Sequence, residues 1–435
     1  MKDNETALSA TVGRRSLLAI TLAAAGSGLV ACGSVDDVGE RVELDQWNLF
    51  GGGDGARMIE MHDRYAAEHP GVELRATTYA WGPPFYTKLA MGAAGGRGAA
   101  VATVHVSRLN GLAPGRLLDA IDAEALAAAG LAAGDMEQTV WDKCFVDGEL
   151  YAVPMDTHVL VNYYNREICG AAGVLDTDGH LRETRGVDEY IDLLTEVKAV
   201  TGTFGTSLDT NAGWRPFWAL YRQQDGELLF GDGDFQLDDA KALAAFDVMR
   251  RLADEGLAPR DSNGAATSAN FVNGLGGVVQ VGNWEIPVYQ KAGLDFGVAQ
   301  FPDFFGNHRT QGDSHAYVLP HRRDRDPARL AASLAYIVWM LRHGITWVGG
   351  GHIPAYLPVA RSAEYLAMLP QSEYRDAAVN VQFDPDIWFS GSGARMQDDA
   401  NAVFQGLYAG TQTPETALAG FKDILRTLLR IPDPT

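Results

Sequence analysis

Beyond residue 40 the chain switches repeatedly between two hydrophobic periods. RVELDQWNLF (41–50) reads as a strand, and ARMIEMHDRYAAEHP (56–70) places apolar residues at Met58, Met61, Tyr65 and Ala66. That is helical spacing, and Pro70 with Gly71 ends it. VELRATTYAW (72–81) predicts a second strand, FYTKLAMGAAGG (85–96) a helix closed by glycines, and AAVATVHVS (99–107) a third strand. The β-α-β-α-β order predicts an α/β fold with mostly parallel strands. In open sheets of this kind ligands sit beyond the carboxyl ends of the strands. The loops FGGGDG (50–55), YAWGPP (79–84) and HVSRLNG (105–111) are therefore expected at a site.

The pattern then loosens. VDGELYAVP (146–154) resembles a hairpin, and DTHVLVNYYNREI (156–168) runs on without a turn signal, as a chain crossing between lobes would. Residues 187–256 alternate helical stretches with loops and end in the amphipathic run inside FGDGDFQLDDAKALAAFDVMRRLADEG (230–256). GGVVQVGNW (276–284) and LDFGVAQFP (294–302) read as strands around a short helical piece, HAYVLP (315–320) as another strand, and the chain from 327 as largely helical. No repeat or low-complexity linker separates these parts, so two lobes joined by several tight crossings are expected.

Composition adds class and compartment. A chain of 435 residues exceeds what one core serves, which makes two domains the default. A formal net charge of −21 argues against nucleic acid and against anionic lipid surfaces as partners. GRRSLLAITLAAAGSGLVACGS (13–34) reads as a targeting segment, too short and too rich in Ala and Gly for the roughly 20 apolar residues of a membrane span. Residues 1–31 are expected to be a cleaved export signal. Arg14 and Arg15 point to twin-arginine export, although Gly13 stands where Ser or Thr is usual, and Sec export stays open. Leu29-Val30-Ala31-Cys32 resembles a lipobox, which would make Cys32 the acylated N-terminus and residues 32–40 a tether. The alternative is a small-residue cleavage site with an incidental cysteine. Cys144 and Cys169 could pair or stay as buried thiols. There is no CxxC and no metal-type Cys/His spacing, so no metal and no cofactor are expected.

Three groups of residues carry candidate chemistry. FGGGDG lacks the Lys and the Ser or Thr of a phosphate loop, and Ala56 and Met58 stand where a third Rossmann glycine belongs. What remains is a turn at a helix start, with Asp54 either an N-cap or a ligand acceptor. Trp81, Trp214, Trp218, Trp284 and Trp388 sit beside glycines and prolines, and flat indoles stack on the apolar faces of sugar rings. Asp156-Thr157-His158, Asn283 with Glu285, and Asp313-Ser314-His315 interrupt apolar strands with polar groups, which suits a cleft lining or hydrogen bonds between lobes. Three consecutive residues cannot converge as a catalytic triad, and there is no G-x-S-x-G elbow.

At these residues the sequence resembles the extracellular solute-binding proteins of ABC importers, the family-1 group that includes maltose-type sugar-binding lipoproteins. The likeness rests on W-x-x-F-G-G-G-D at 47–54, DGELYAVPMDTH at 147–158 followed by YYNREI, GNWEIPVYQKAGLDFGVAQFP at 282–302, DSHAYVLP at 313–320, GGHIPA at 350–355 and TPETAL at 413–418. It implies a monomeric, two-lobed, periplasmic-binding-protein-like α/β fold closing on a carbohydrate. Residues 41–157 with 300–350 would form one lobe and 158–299 with 351–435 the other. Crossings would fall near 156–159, 296–302 and 349–354. The implied site residues are Gly53, Asp54, Trp81, His105, Ser107, Asp156, Thr157, Trp214, Trp284, Glu285, Asp313, Ser314, His315, Gly351 and His352. The partners would be membrane permease subunits with a separate ATPase, and the protein would hang from the outer face of the membrane by lipid on Cys32. Two alternatives stay in view. GSGARM (391–396) resembles a glycine-arginine turn of glycerol-phosphate binders, so Arg395, with Arg108, would meet a phosphorylated polyol. An exported glycosidase would use Glu285.

Overall fold

The computed structural model describes residues 41–433, so the export signal, the tether and Cys32 lie outside the described residues. Two mixed sheets organise them. In the first, Val72–Thr78, Val42–Asn48 and Val101–His105 run parallel, as the βαβ pattern predicts, and His315–Pro320 adds antiparallel to the third. Ala152–Pro154 and Leu118–Asp119 both pair with His315–Pro320. The helices Gly52–Glu68 and Pro83–Ala94 connect the parallel strands.

The second sheet is built around Asp156–Asn165, ten residues that are all buried. Gly276–Gly282 and Phe296–Gln300 pair with its far part, Thr310–Asp313 with its middle and Ile353–Pro354 with its start. Side chains alternate along a strand. Val159, Val161 and Tyr163 therefore join the core that continues into the first sheet, while Leu160 and Tyr164 join a second core with Trp214, Phe217, Phe246, Phe404 and Phe421. A strand packed on both faces has no place for a charge along its middle. Its carboxylate and imidazole, Asp156 and His158, sit at its start instead, and the later Asn162 and Asn165 are neutral.

The chain changes sheet three times, and these points fix the site. Met155 separates Ala152–Pro154 from Asp156–Asn165, and Ser314 separates Thr310–Asp313 from His315–Pro320. Residues 349–352 lead from the helix Ile345–Val348, packed on the first helix, to Ile353–Pro354 in the second sheet. The second change comes later than 296–302, because Phe296–Gln300 and Thr310–Asp313 both pair with Asp156–Asn165. TQGD has no apolar alternation and gives no strand signal, so the return of the chain to this sheet is invisible in the pattern.

Cys144 and Cys169 are both free and buried, their thiols pointing at the carbonyls of Val140 and Gly277. Burial pulls the His62 imidazole, bonded to the Tyr336 hydroxyl at 2.9 Å, down to about 4. A base depressed in the folded state leaves the unfolded chain binding more protons between its two pKa values. His62 should thus cost stability progressively as pH falls from about 6.5 to 4, to a limit of about 3 kcal/mol. His62→Gln is expected to flatten the pH dependence of the urea midpoint in that window. An unchanged slope would show that His62 does not titrate this way.

Candidate functional site

A cavity of about 320 Å³ opens between the two sheets, lined by Leu49, Phe50, Gly51, Asp54, Trp81, His105, His158, Arg215, Trp284, His315, His352 and Ser392. Its floor is the meeting point of the three sheet changes. Antiparallel register sets His315 directly opposite His105, and in the second sheet sets His158 opposite Asp313. Four of the chain's ten histidines thereby converge, with ring centroids of His158 and His315 stacked 4.3 Å apart and those of His105 and His315 4.9 Å apart.

The Asp156 carboxylate lies under these rings, fully buried. Its Oδ1 accepts from the His315 backbone N–H at 2.9 Å and from His158 Nδ1 at 3.2 Å, while its Oδ2 accepts from His315 Nδ1 at 2.8 Å and Trp347 Nε1 at 2.6 Å. Burial alone would raise this carboxyl, but His315 and His352 outweigh it and hold it well below the usual range. His352 lies between two carboxylates, Nε2 at 3.1 Å from Asp54 Oδ1 and Nδ1 at 3.2 Å from Asp156 Oδ2. Burial works against its charged form, yet Asp54 and Asp156 raise it above the ordinary histidine value. Burial pulls His158 down to about 4 and His105 well below its ordinary value, and the nearness of His315 adds to both. The two carboxylates Asp54 and Asp156 thus favour a proton on His352, while burial disfavours one on His158 and His105.

Several expected site residues stand at this cavity: Asp54, Trp81, His105, Trp284, His315 and His352 line it, and Asp156 supports it from below. Asp54 does not cap its helix. Gly51 occupies the cap position without a side-chain bond, and Asp54 turns to His352 instead. Gly53 lies one residue off the lining, against Pro287, and Gly51 takes its expected place. Thr157 is buried beside Ile353 with its hydroxyl unpartnered.

Ser107, Asp313 and Ser314 form a buried bracket next to the cavity. Asp313 accepts from the Ser107 hydroxyl and from the backbone N–H of Ser107 and Ser314, and burial pushes its carboxyl up to about 7. The Ser107 hydroxyl also accepts from Ser392 N at 3.0 Å, which holds Ser392 at the cavity wall.

Trp214, Glu285 and Arg395 are elsewhere. Trp214 is fully buried in the second core, stacked on Trp218, its indole N–H on Asp384 at 2.9 Å. Glycine flanking made it look like a loop residue, but it opens the helix Trp214–Gln223 and packs inward. Glu285 turns away and accepts from Ser268 at 3.0 Å. Arg395 pairs along its own helix with Asp399 at 3.2 Å and is 59% exposed, and Arg108 lies over the Tyr86 ring. The cation at the cavity is Arg215, which sequence reasoning missed. It sits 5.0 Å from the centroid of the Trp284 ring and makes no side-chain hydrogen bond or ion pair among the described residues. Its signal was an arginine between two aromatics in GWRPFW.

Gly351 sets the last histidine in place. At φ 103° it occupies a region that favours glycine, and a Cβ there would stand 1.9 Å from the Asn283 carbonyl oxygen. Its own carbonyl accepts from the Tyr374 hydroxyl.

The profile of the bacterial extracellular solute-binding proteins matches residues 60–346, more than half the chain. The chain belongs to that family. Among curated relatives, the lactose-binding protein of Rhizobium radiobacter is 27% identical over 204 residues, 43% of this chain and 45% of the relative, so the match spans less than half of that protein. The solved GacH receptor of Streptomyces glaucescens, determined unliganded and with acarbose, superposes at TM-score 0.74 with 19% identity over 90% of this chain and 99% of its own. The substrate-binding protein Lmo0181 of Listeria monocytogenes, in complex with cycloalternan, gives 0.75 with 17% identity over 89% and 99%. MalE of Xanthomonas citri gives 0.75 with 16% over 89% and 97%. The fold is the two-lobed α/β fold of this group, and the chain is a binding protein rather than an enzyme.

Gly351→Ala is expected to destabilise the protein by about 2 kcal/mol or more in urea melts, because the strained φ and the clash with Asn283 add. A variant with the wild-type midpoint would show that residues 350–352 are free to shift.

Proposed function

We propose that this solute-binding protein captures a small carbohydrate between its lobes and delivers it to membrane permease subunits served by a separate ATPase. One observation carries the reading. Trp81 follows a strand of the first sheet and Trp284 a strand of the second, and both face one cavity rimmed by Asp54, His105, His158, His315 and Arg215. Indoles offer the flat faces that sugar rings stack on, while carboxylates and imidazoles take up the hydroxyl rim. The sugar ligands in the names of the relatives support the same class. Anchoring by lipid on Cys32 after export by the twin-arginine or Sec route completes the proposal, and the lobes as read from sequence would close about the three sheet changes. Among the described residues no helix is long and apolar enough to cross a membrane.

Arg215 favours a second reading of the ligand. A guanidinium at the cavity with no carboxylate in ion-pair contact among the described residues, Asp384, Asp209 and Asp313 acting on it only from farther off, suits a sugar that also carries a carboxylate. Arg395 gives no such support to a phosphorylated polyol, since it lies outside the cavity.

The expected result of a thermal-shift screen with neutral and acidic mono- and oligosaccharides is a rise in Tm for at least one of them. Trp81→Ala and Trp284→Ala should each weaken that ligand at least tenfold, about 1.4 kcal/mol. Trp81, 47% exposed, should cost little stability. If Arg215→Ala weakens only acidic sugars, the second reading holds. No shift with any saccharide would overturn the carbohydrate reading.

A further inference from the structure

The sequence gives no metal-type spacing, yet the fold assembles a donor set that sugar binding does not call for. Asp156, His158, His315 and His352 are all buried, and their candidate ligand atoms lie within 4.8 Å of one another. They come from the three sheet-changing segments, His315 lying 157 positions beyond His158 and His352 a further 37 beyond His315. Spacing rules that look for ligands a few residues apart cannot find such a site.

Hydrogen bonding alone does not account for the cluster. A carboxylate offers about four lone-pair positions. Five nitrogens crowd Asp156: the Nδ1 atoms of His158, His315 and His352, the indole of Trp347 and the backbone of His315. Four of them bond. The fifth, Nδ1 of His352, lies 3.2 Å from Oδ2 without the geometry of a hydrogen bond and has no other partner, although His352 is only 1% exposed. An orphaned imidazole nitrogen beside a carboxylate is costly unless something else uses it.

We propose that Asp156, His158, His315 and His352 bind one divalent transition-metal ion of the zinc class at the floor of the cavity. Three imidazoles and one carboxylate are donors that zinc accepts, at about 2.0–2.2 Å in tetrahedral geometry. Ligand atoms around such an ion stand roughly 3.4 Å apart, so the widest pair needs to draw in by about 1 Å while the imidazole nitrogens 2.8 to 3.2 Å from Asp156 part slightly to admit the ion. Rings are already oriented for it. Trp347 stacks on His352 at 4.6 Å with an interplanar angle of 12°, and Phe50 meets His315 edge-on at 4.8 Å. Asp54 holds the outer nitrogen of His352, as the supporting carboxylates of metal-bound histidines do. The ion would use Nδ1 lone pairs: in a neutral imidazole the Nδ1 proton moves to Nε2, whereas a charged imidazole gives its Nδ1 proton to solvent, so binding competes with protonation and weakens at low pH.

The test is a zinc(II) titration by calorimetry of the folded chain after dialysis against a chelator, with no sugar present. The expected result is one ion per chain, at least 100-fold weaker in His158→Ala and in His315→Ala and unchanged in His180→Ala, whose imidazole is on the surface. Cobalt(II) added to the unmutated protein provides a reading that does not depend on variants folding. Visible bands of a four-coordinate ion are expected. No zinc uptake, uptake equal in His315→Ala, or cobalt bands only of the hydrated ion would overturn the proposal. The saccharide screen repeated on chelated protein keeps the carbohydrate reading separate, since either can fail while the other stands.

Discussion

Everything in the cavity depends on one buried carboxylate. Asp156 begins the central strand of the second sheet, immediately after the chain leaves the first. Through His315 it ties the return crossing, and through Trp347 and His352 it reaches the third. Met155 N donates to the His315 carbonyl at 2.7 Å, which clamps the first two crossings backbone to backbone. A charge this deep is tolerated because hydrogen-bond donors and positive charge surround it. Removing those partners would leave it uncompensated, so the crossings and the carboxylate hold one another in place.

The cavity follows from that arrangement. Each sheet contributes the loop after one strand, carrying Trp81 and Trp284, and the crossings contribute the polar floor. A second bracket, Ser107 with Asp313 and Ser392, keeps the loop at 391–393 against the first sheet. The aromatic walls are thus attached to different sheets, whereas the hydrogen-bonding floor belongs to the crossings between them. A ligand touching both would gain contacts from closure.

The first three strands and two helices were legible because their hydrophobic periods are strong and their stops are Pro and Gly. Asp54, Trp81, His105, Trp284, His315 and His352 were legible as polar or aromatic residues at strand ends or in family motifs. The rest failed for identifiable reasons. Trp214 follows a glycine, as loop residues do, yet besides Phe217 and Trp218 of its own helix it packs on Phe421 and bonds Asp384, from distant parts of the chain that local pattern does not reveal. Glu285 lies next to Trp284, but the 3-10 turn Asn283–Glu285 sends the two side chains to different partners. Arg395 belonged to a short motif and pairs along its own helix. The convergence of four histidines is a property of register and crossing, which no window of sequence contains.

Amide hydrogen exchange of Asp156→Asn tests the central role of this carboxylate most directly. The amide keeps the size of the side chain but removes the charge and part of the acceptor capacity. The account predicts faster exchange confined to the three crossings, around residues 155, 314–316 and 350–354, with the outer helices of both lobes protected as in the wild type. Unchanged exchange at all three crossings, or a uniform loss of protection throughout, would contradict it.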